Sequence, residues 1–309
     1  PPPLLPARGQ GVPVFEWITN LAIGLLFFLH GAKLSGPAIL AGLGHWRLHL
    51  LVFGCTFVLF PLLGLALRPL LTPLIGPELY LGMLYLCALP ATVQSAIAFT
   101  SLARGNIAAA VCSAAASSLI GIFLTPLLVL LLMGAQGDGG STLDAIGKIL
   151  VQLLLPFIAG QFARRWIGDW VARNKGWLKN VDQSSILLVV YTAFSHAVVE
   201  GIWQEVPLPQ LLGLVLACCL LLALALGITW LIARGLGFDL EDRITILFAG
   251  SKKSMATGIP MAQVLFAGGA LGTLILPLML FHQIQLMVCA VLAQRYAARP
   301  ESPPVAKAV

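Results

Sequence analysis

Ser251-Lys252-Lys253-Ser254 sets two lysines and two hydroxyls inside a stretch that is otherwise apolar from Ile244 to Phe266. Arg243, the nearest flanking charge, lies nine positions before Lys252. That is about 14 Å along a helix axis, close to half of a ~30 Å hydrocarbon core. Lysine stems snorkel to headgroups from helix ends, and from such depth the reach is poor. Ionisable groups at this depth face a protein interior or a wet cavity, so these lysines are candidates for pairing with an anion. Burial also favours the neutral amine, so such a lysine could carry a proton. Further polar side chains recur in apolar surroundings: Thr92, Gln94 and Ser95; Ser113 and Ser117; Thr257; and His282, Gln283 and Gln285.

The elements that hold them must be membrane helices. Apolar residues make up 59% of 309, charged residues 10%, and mean hydropathy is +0.96, against about a quarter charged for a soluble domain. Breaking the chain at charges, glycines and prolines predicts nine spans: 13–33, 48–67, 79–104, 107–133, 146–162, 185–199, 210–232, 244–266 and 271–293. Each is near the ~20 residues a crossing helix needs, the fifth and sixth being short. The net charge of +6 lies mainly in the connections, where it orients the chain in a bilayer instead of binding nucleic acid.

Placing the C-terminus inside puts Lys33, Arg47, Arg104, the run from Arg164 to Lys179, Arg234, Arg243, Arg295 and Arg299 on the cytoplasmic side. Only Arg8, Arg68 and Lys148 fall outside, so the positive-inside rule selects this orientation. The N-terminus is then outside. Residues 1–12 read as an extracytoplasmic connector, because Pro1 to Pro6 lack the basic and apolar regions of a signal peptide. A preceding helix would return the count to ten.

Ten helices divide into two halves, and the polar segments fall in matching places. Pro90 removes a ladder bond in the middle of the third span, and Thr92, Gln94 and Ser95 follow it. The eighth span repeats the design with Gly250, the Ser-Lys-Lys-Ser group, Thr257 and Pro260. Each is followed by a short glycine link, Gly105-Asn106 or Gly268-Gly269, and then a long span with a central proline, Pro126 or Pro277. Broken helices are thus expected at Pro90–Ser95 and Gly250–Pro260. They lie five spans apart, so the two five-helix repeats are inverted, and paired interruptions mark the substrate site of a secondary transporter. The predicted fold is an all-α polytopic membrane protein. Its first repeat, lacking one helix, covers 13–133. A loop, the fifth span and a basic amphipathic linker cover 134–183, the remainder of the second repeat 184–299, and a disordered tail 300–309. Trp166, Trp170 and Trp177, interleaved with the basic run, suggest that the linker lies on the cytoplasmic face.

The runs Ala88 to Ser101 and Gly250 to Ala262, with Phe281-His282-Gln283-Ile284-Gln285-Leu286-Met287, resemble the bacterial YfeH-like branch of the bile acid:sodium symporter superfamily. The similarity extends from about Phe15 to Tyr296. The resemblance implies a panel domain beside a core domain, two crossed broken helices in the core, and nine of the family's ten helices, the first being absent. It implies a small-molecule solute, a bacterial inner-membrane setting and sodium coupling. The chain departs from that pattern. The glutamate and glutamine that sodium-coupled members carry on the second broken helix correspond here to Ala256 and Pro260, and a glutamine of an earlier core helix corresponds to Thr56.

None of the twelve acidic residues lies near the middle of a span. A desolvated sodium ion usually needs a carboxylate, so the two-sodium site is in doubt. Lysine could supply the positive charge in its place, which leaves sodium or a proton open as coupling ion and no cofactor implied. Blander readings stand beside each group. Thr92, Gln94 and Ser95 could only re-satisfy backbone freed by Pro90, and Ser113 and Ser117 could serve close helix packing. His282, Gln283 and Gln285 cannot all face one side. The six cysteines lack metal-ligand spacing and read as small buried hydrophobes. A secondary transporter of a small organic anion, sterol-like or otherwise, is the leading reading. Its rivals are a membrane regulator keeping the carrier fold without coupling, and an intramembrane enzyme, for which no paired aspartates, zinc motif or nucleophile with base is present.

Overall fold

A computed structural model describes residues 12–33, 45–134, 150–199, 206–266 and 271–300. Eleven helices run through them: α1 (Val12–Lys33), α2 (Trp46–Ala66), α3 (Arg68–Ala88), α4 (Gln94–Leu102), α5 (Ile107–Met133), α6 (Leu155–Arg173), α7 (Lys175–Val199), α8 (Leu208–Gly235), α9 (Leu240–Gly250), α10 (Met255–Leu265) and α11 (Leu271–Ala297). No strand occurs among the described residues. Six of these helices, α1, α2, α3, α5, α8 and α11, are each long and apolar enough to cross a bilayer. The chain is an all-α polytopic membrane protein.

Two packed groups make up the bundle. In the first, α1 lies along α6 and α7. Its closeness depends on glycine: a Cβ on Gly31 would stand 2.1 Å from the Phe157 carbonyl oxygen, and one on Gly160 would stand 1.9 Å from that of Phe28. Only bare backbones approach so closely. The second group contains α2 to α5 and α8 to α11, and α7 joins the two by packing on α10 and α11.

Both predicted interruptions are present, each narrower than expected. The first runs from Leu89 to Val93 and the second from Ser251 to Ser254. Pro260 lies inside α10, because Ser254 caps that helix by accepting from the Thr257 N–H and so starts it before the proline is reached. Residues 68–78, expected to connect spans, are helical as well. There α3 kinks at Gly76, whose φ of 81° admits glycine and strains any other residue. The basic run from Arg164 to Lys179 falls across the end of α6 and the start of α7. A π-helical turn over Leu150–Leu154 runs unbroken into α6, and α7 starts two residues after α6 ends, with Trp170 and Trp177 packed edge to face across the junction at 5.9 Å. Cys219 is exposed, unlike the buried Cys55, Cys87, Cys218 and Cys289. The Gly105-Asn106 link is observed, with Asn106 capping α5. The Gly268-Gly269 link, the outer loop after Gly134, the N-terminal connector and the tail lie outside the described residues.

Several of the basic connections meet at one end of the second group. Arg47 donates to the Leu236 carbonyl, Arg104 and Arg299 exchange bonds with each other's carbonyls, and Asn106 donates to Asp242. In the first group, Lys33 pairs with Asp182.

Candidate functional site

The two interruptions touch. The Ser254 N–H donates to the Pro90 carbonyl at 2.9 Å, so the breaks cross backbone to backbone. Four helix ends therefore meet at one point: the carbonyl ends of α3 and α9 and the amide ends of α4 and α10. Such ends carry partial charges of opposite sign. Freed backbone groups at the first break are taken up by α5. The Ala91 N–H donates to Ser117 Oγ at 3.0 Å, and Thr125 Oγ1 donates to the Ala88 carbonyl at 2.9 Å. Gly121 lets α5 come this close, since a Cβ there would lie 2.6 Å from Pro90.

Lys253 is wholly buried, and its ammonium is saturated. It donates to the carbonyls of Thr56 at 2.6 Å, Leu89 at 2.7 Å and Cys87 at 2.9 Å, and lies 4.3 Å from the centre of the Phe60 ring. An ammonium has three donors, and all three are used. Local sequence explains why these carbonyls are free. Around Thr56, α2 widens into a π turn over Cys55–Leu59. There the Phe60 N–H bonds the Cys55 carbonyl, and Pro61, next in line, has no N–H to offer. Cys87 and Leu89 stand at the end of α3, where Ala91 has turned to Ser117. The main chain of Lys253 is fixed too. Its N–H donates to Gln285 Oε1 and its carbonyl accepts from Gln285 Nε2, both at 2.9 Å, while His282 Nδ1 lies 2.8 Å from the same Nε2.

Lys252 is equally buried and differently served. Its ammonium lies 4.4 Å from the Phe99 ring centre and 5.6 Å from that of Phe248, with one hydroxyl, Ser95 Oγ, at 3.4 Å. Ser95 stands in the first turn of α4 and donates to Thr92 Oγ1 at 2.7 Å. Val93, at the N-cap of α4, supplies no side-chain acceptor, in contrast to Ser254 at α10. Among the described residues, a cation with one long hydrogen bond thus sits beside an uncapped helix N-terminus.

The structure gathers Thr92, Ser95, Ser117, Ser251, Lys252, Lys253, Ser254, Thr257 and Gln285 around the crossing, with His282 at its edge. Among the described residues, Thr257 Oγ1 is buried without a partner. Gln94 and Gln283 are exposed and turn away from it, as one-residue helical steps of about 100° require. Ser113 is engaged elsewhere, 2.7 Å from His49 Nδ1. The sequence reading missed the carbonyls of Cys87 and Leu89 and the rings of Phe60, Phe99 and Phe248. Main-chain acceptors carry no residue-type signal, and the only available hint was Pro61, five places after Thr56.

A multi-pass bundle with two interrupted helices crossing at buried polar backbone has the architecture of a membrane transporter. The chain belongs to the SBF-like CPA transporter family, whose profile matches residues 3–298. It is 72% identical over 295 residues to an uncharacterised protein of Pseudomonas aeruginosa, covering 96% of this chain and 89% of the relative. It is 62% identical over 296 residues, with the same coverages, to the Escherichia coli protein named "Putative symporter YfeH". A more distant relative is "Sodium/bile acid cotransporter 7" of Xenopus tropicalis, 31% identical over 290 residues and covering 92% and 84%.

Proposed function

We propose that this chain is a secondary transporter that moves a small organic anion across the bacterial inner membrane by alternating access, the acidic group of the solute binding at Lys252. One observation carries the reading. Among the described residues, the buried Lys252 ammonium has a single hydrogen bond, of 3.4 Å, beside the uncapped amide end of α4. A desolvated cation and a helix N-terminus both favour an anion, and an arriving carboxylate or sulfonate completes the donors that Ser95 leaves unmatched. Lys252 is enclosed, so a solute reaches it only through a conformational change, as alternating access requires. We take the two groups to be the panel and core domains of an inverted-repeat carrier, with the basic end facing the cytoplasm.

The test is binding of taurocholate and simpler carboxylate and sulfonate amphiphiles to purified protein, followed by uptake into proteoliposomes. Lys252→Met keeps the apolar stem and removes the charge, so it should abolish binding by the wild-type ligand. Wild-type affinity in this variant would overturn the reading. Binding without uptake would point to a regulator with a carrier fold.

A further inference from the structure

We propose that the carbonyls of Thr56, Cys87 and Leu89 form a monovalent-cation site that this chain fills with its own Lys253 ammonium. Three oxygens from two separate elements converge on one atom at 2.6 to 2.9 Å, and the face of Phe60 closes a further side at 4.3 Å. Thr56, Phe60, Cys87, Leu89 and Lys253 are all completely buried, so the shell lies away from bulk solvent. Carbonyl oxygens arranged around a cation are how a protein replaces the hydration of a monovalent ion. Among the described residues, no carboxylate contacts the ammonium. A fixed, covalently attached positive charge needs no counter-charge to recruit it, whereas a diffusible ion must be won from water each cycle. The Gln285 amide clamps the main chain of Lys253 on both sides, which aims the side chain into the cage.

The consequence is a crossing held together without an alkali cation. The end of α3, the π turn of α2 and the second break are tied by one tethered ion, so this cage draws nothing from a sodium gradient. The inference concerns Lys253 alone and stands independently of whether Lys252 meets a solute.

Lys253→Ala removes the four atoms that n-propylammonium restores. The full chain, purified in detergent, is melted by tryptophan fluorescence in n-propylammonium chloride, tetramethylammonium chloride, sodium chloride and choline chloride at equal ionic strength. Lys253→Ala should melt below wild type. Propylammonium should raise its melting temperature saturably and recover at least half of the loss, while tetramethylammonium, too bulky and without N–H donors, should not. Wild type should melt alike in sodium and choline. Equal responses of Lys253→Ala to propylammonium and tetramethylammonium would overturn the proposal. So would saturable stabilisation of wild type by sodium, an arm that needs no variant.

Discussion

Replacing each lysine by methionine should separate two buried charges that look alike in sequence. Lys253→Met leaves the carbonyls of Thr56, Cys87 and Leu89 without their donor in a site with no solvent-exposed surface. Hydrogen bonds to a charged group are worth about 1.5–3 kcal/mol each, so three amount to roughly 5–9 kcal/mol. Removing the ammonium also removes its desolvation penalty, several kcal/mol for a buried ion. The net cost is therefore about 2–5 kcal/mol. Lys252→Met loses one hydrogen bond of 3.4 Å and two ring contacts, worth together about 1–3 kcal/mol, and gains a comparable desolvation relief. With the same relief of several kcal/mol as at Lys253, its net effect runs from about zero to mildly stabilising. At ~2–4 °C per kcal/mol, Lys253→Met should melt about 4–20 °C lower, and Lys252→Met should melt no lower than wild type. Fluorescence-monitored melting at fixed scan rate in one detergent measures both, since membrane-protein unfolding is a rate as much as an equilibrium. Equal losses in the two variants, or a larger loss for Lys252→Met, would refute the assignment of Lys253 as the tie and Lys252 as the available charge.

The remaining expectations concern the scaffold around that pair. Gln285→Leu strips both partners from the Lys253 peptide and should cost about 2–4 kcal/mol, read as a lower melting temperature and a second break more open to proteolysis; wild-type behaviour in both would count against the clamp. Gly160→Leu should split α1 from α6, because even a Cβ there meets Phe28 at 1.9 Å, and should be lost from the monodisperse peak in size-exclusion chromatography. Gly54→Ala, in helical backbone with nothing within 4 Å of the added atom, should be neutral or stabilising by about 1 kcal/mol; equal damage from both glycine changes would show that packing is not the cause.

Composition and charge spacing determined that this chain spans a membrane many times, because apolar runs of crossing length and flanking basic residues are local properties of the sequence. Pro90 and the Ser-Lys-Lys-Ser group likewise announced two interruptions at membrane depth, since a missing N–H and a buried charge are costly wherever they fall. What the two lysines do was not legible there. Helical geometry implied that neighbours diverge, and nothing in residue type says which would find three carbonyls and which two rings. That assignment depends on where α2 widens into its π turn and on α5 drawing away the Ala91 amide. Both bring together groups from three helices distant in sequence. The same holds for Gln285 and Gln283, identical in type and two positions apart, one clamped on Lys253 and the other exposed. Periodicity decides which residues enter a membrane; the π turn of α2 and the end of α3 free the carbonyls, and only the crossing of the two breaks decides which lysine reaches them.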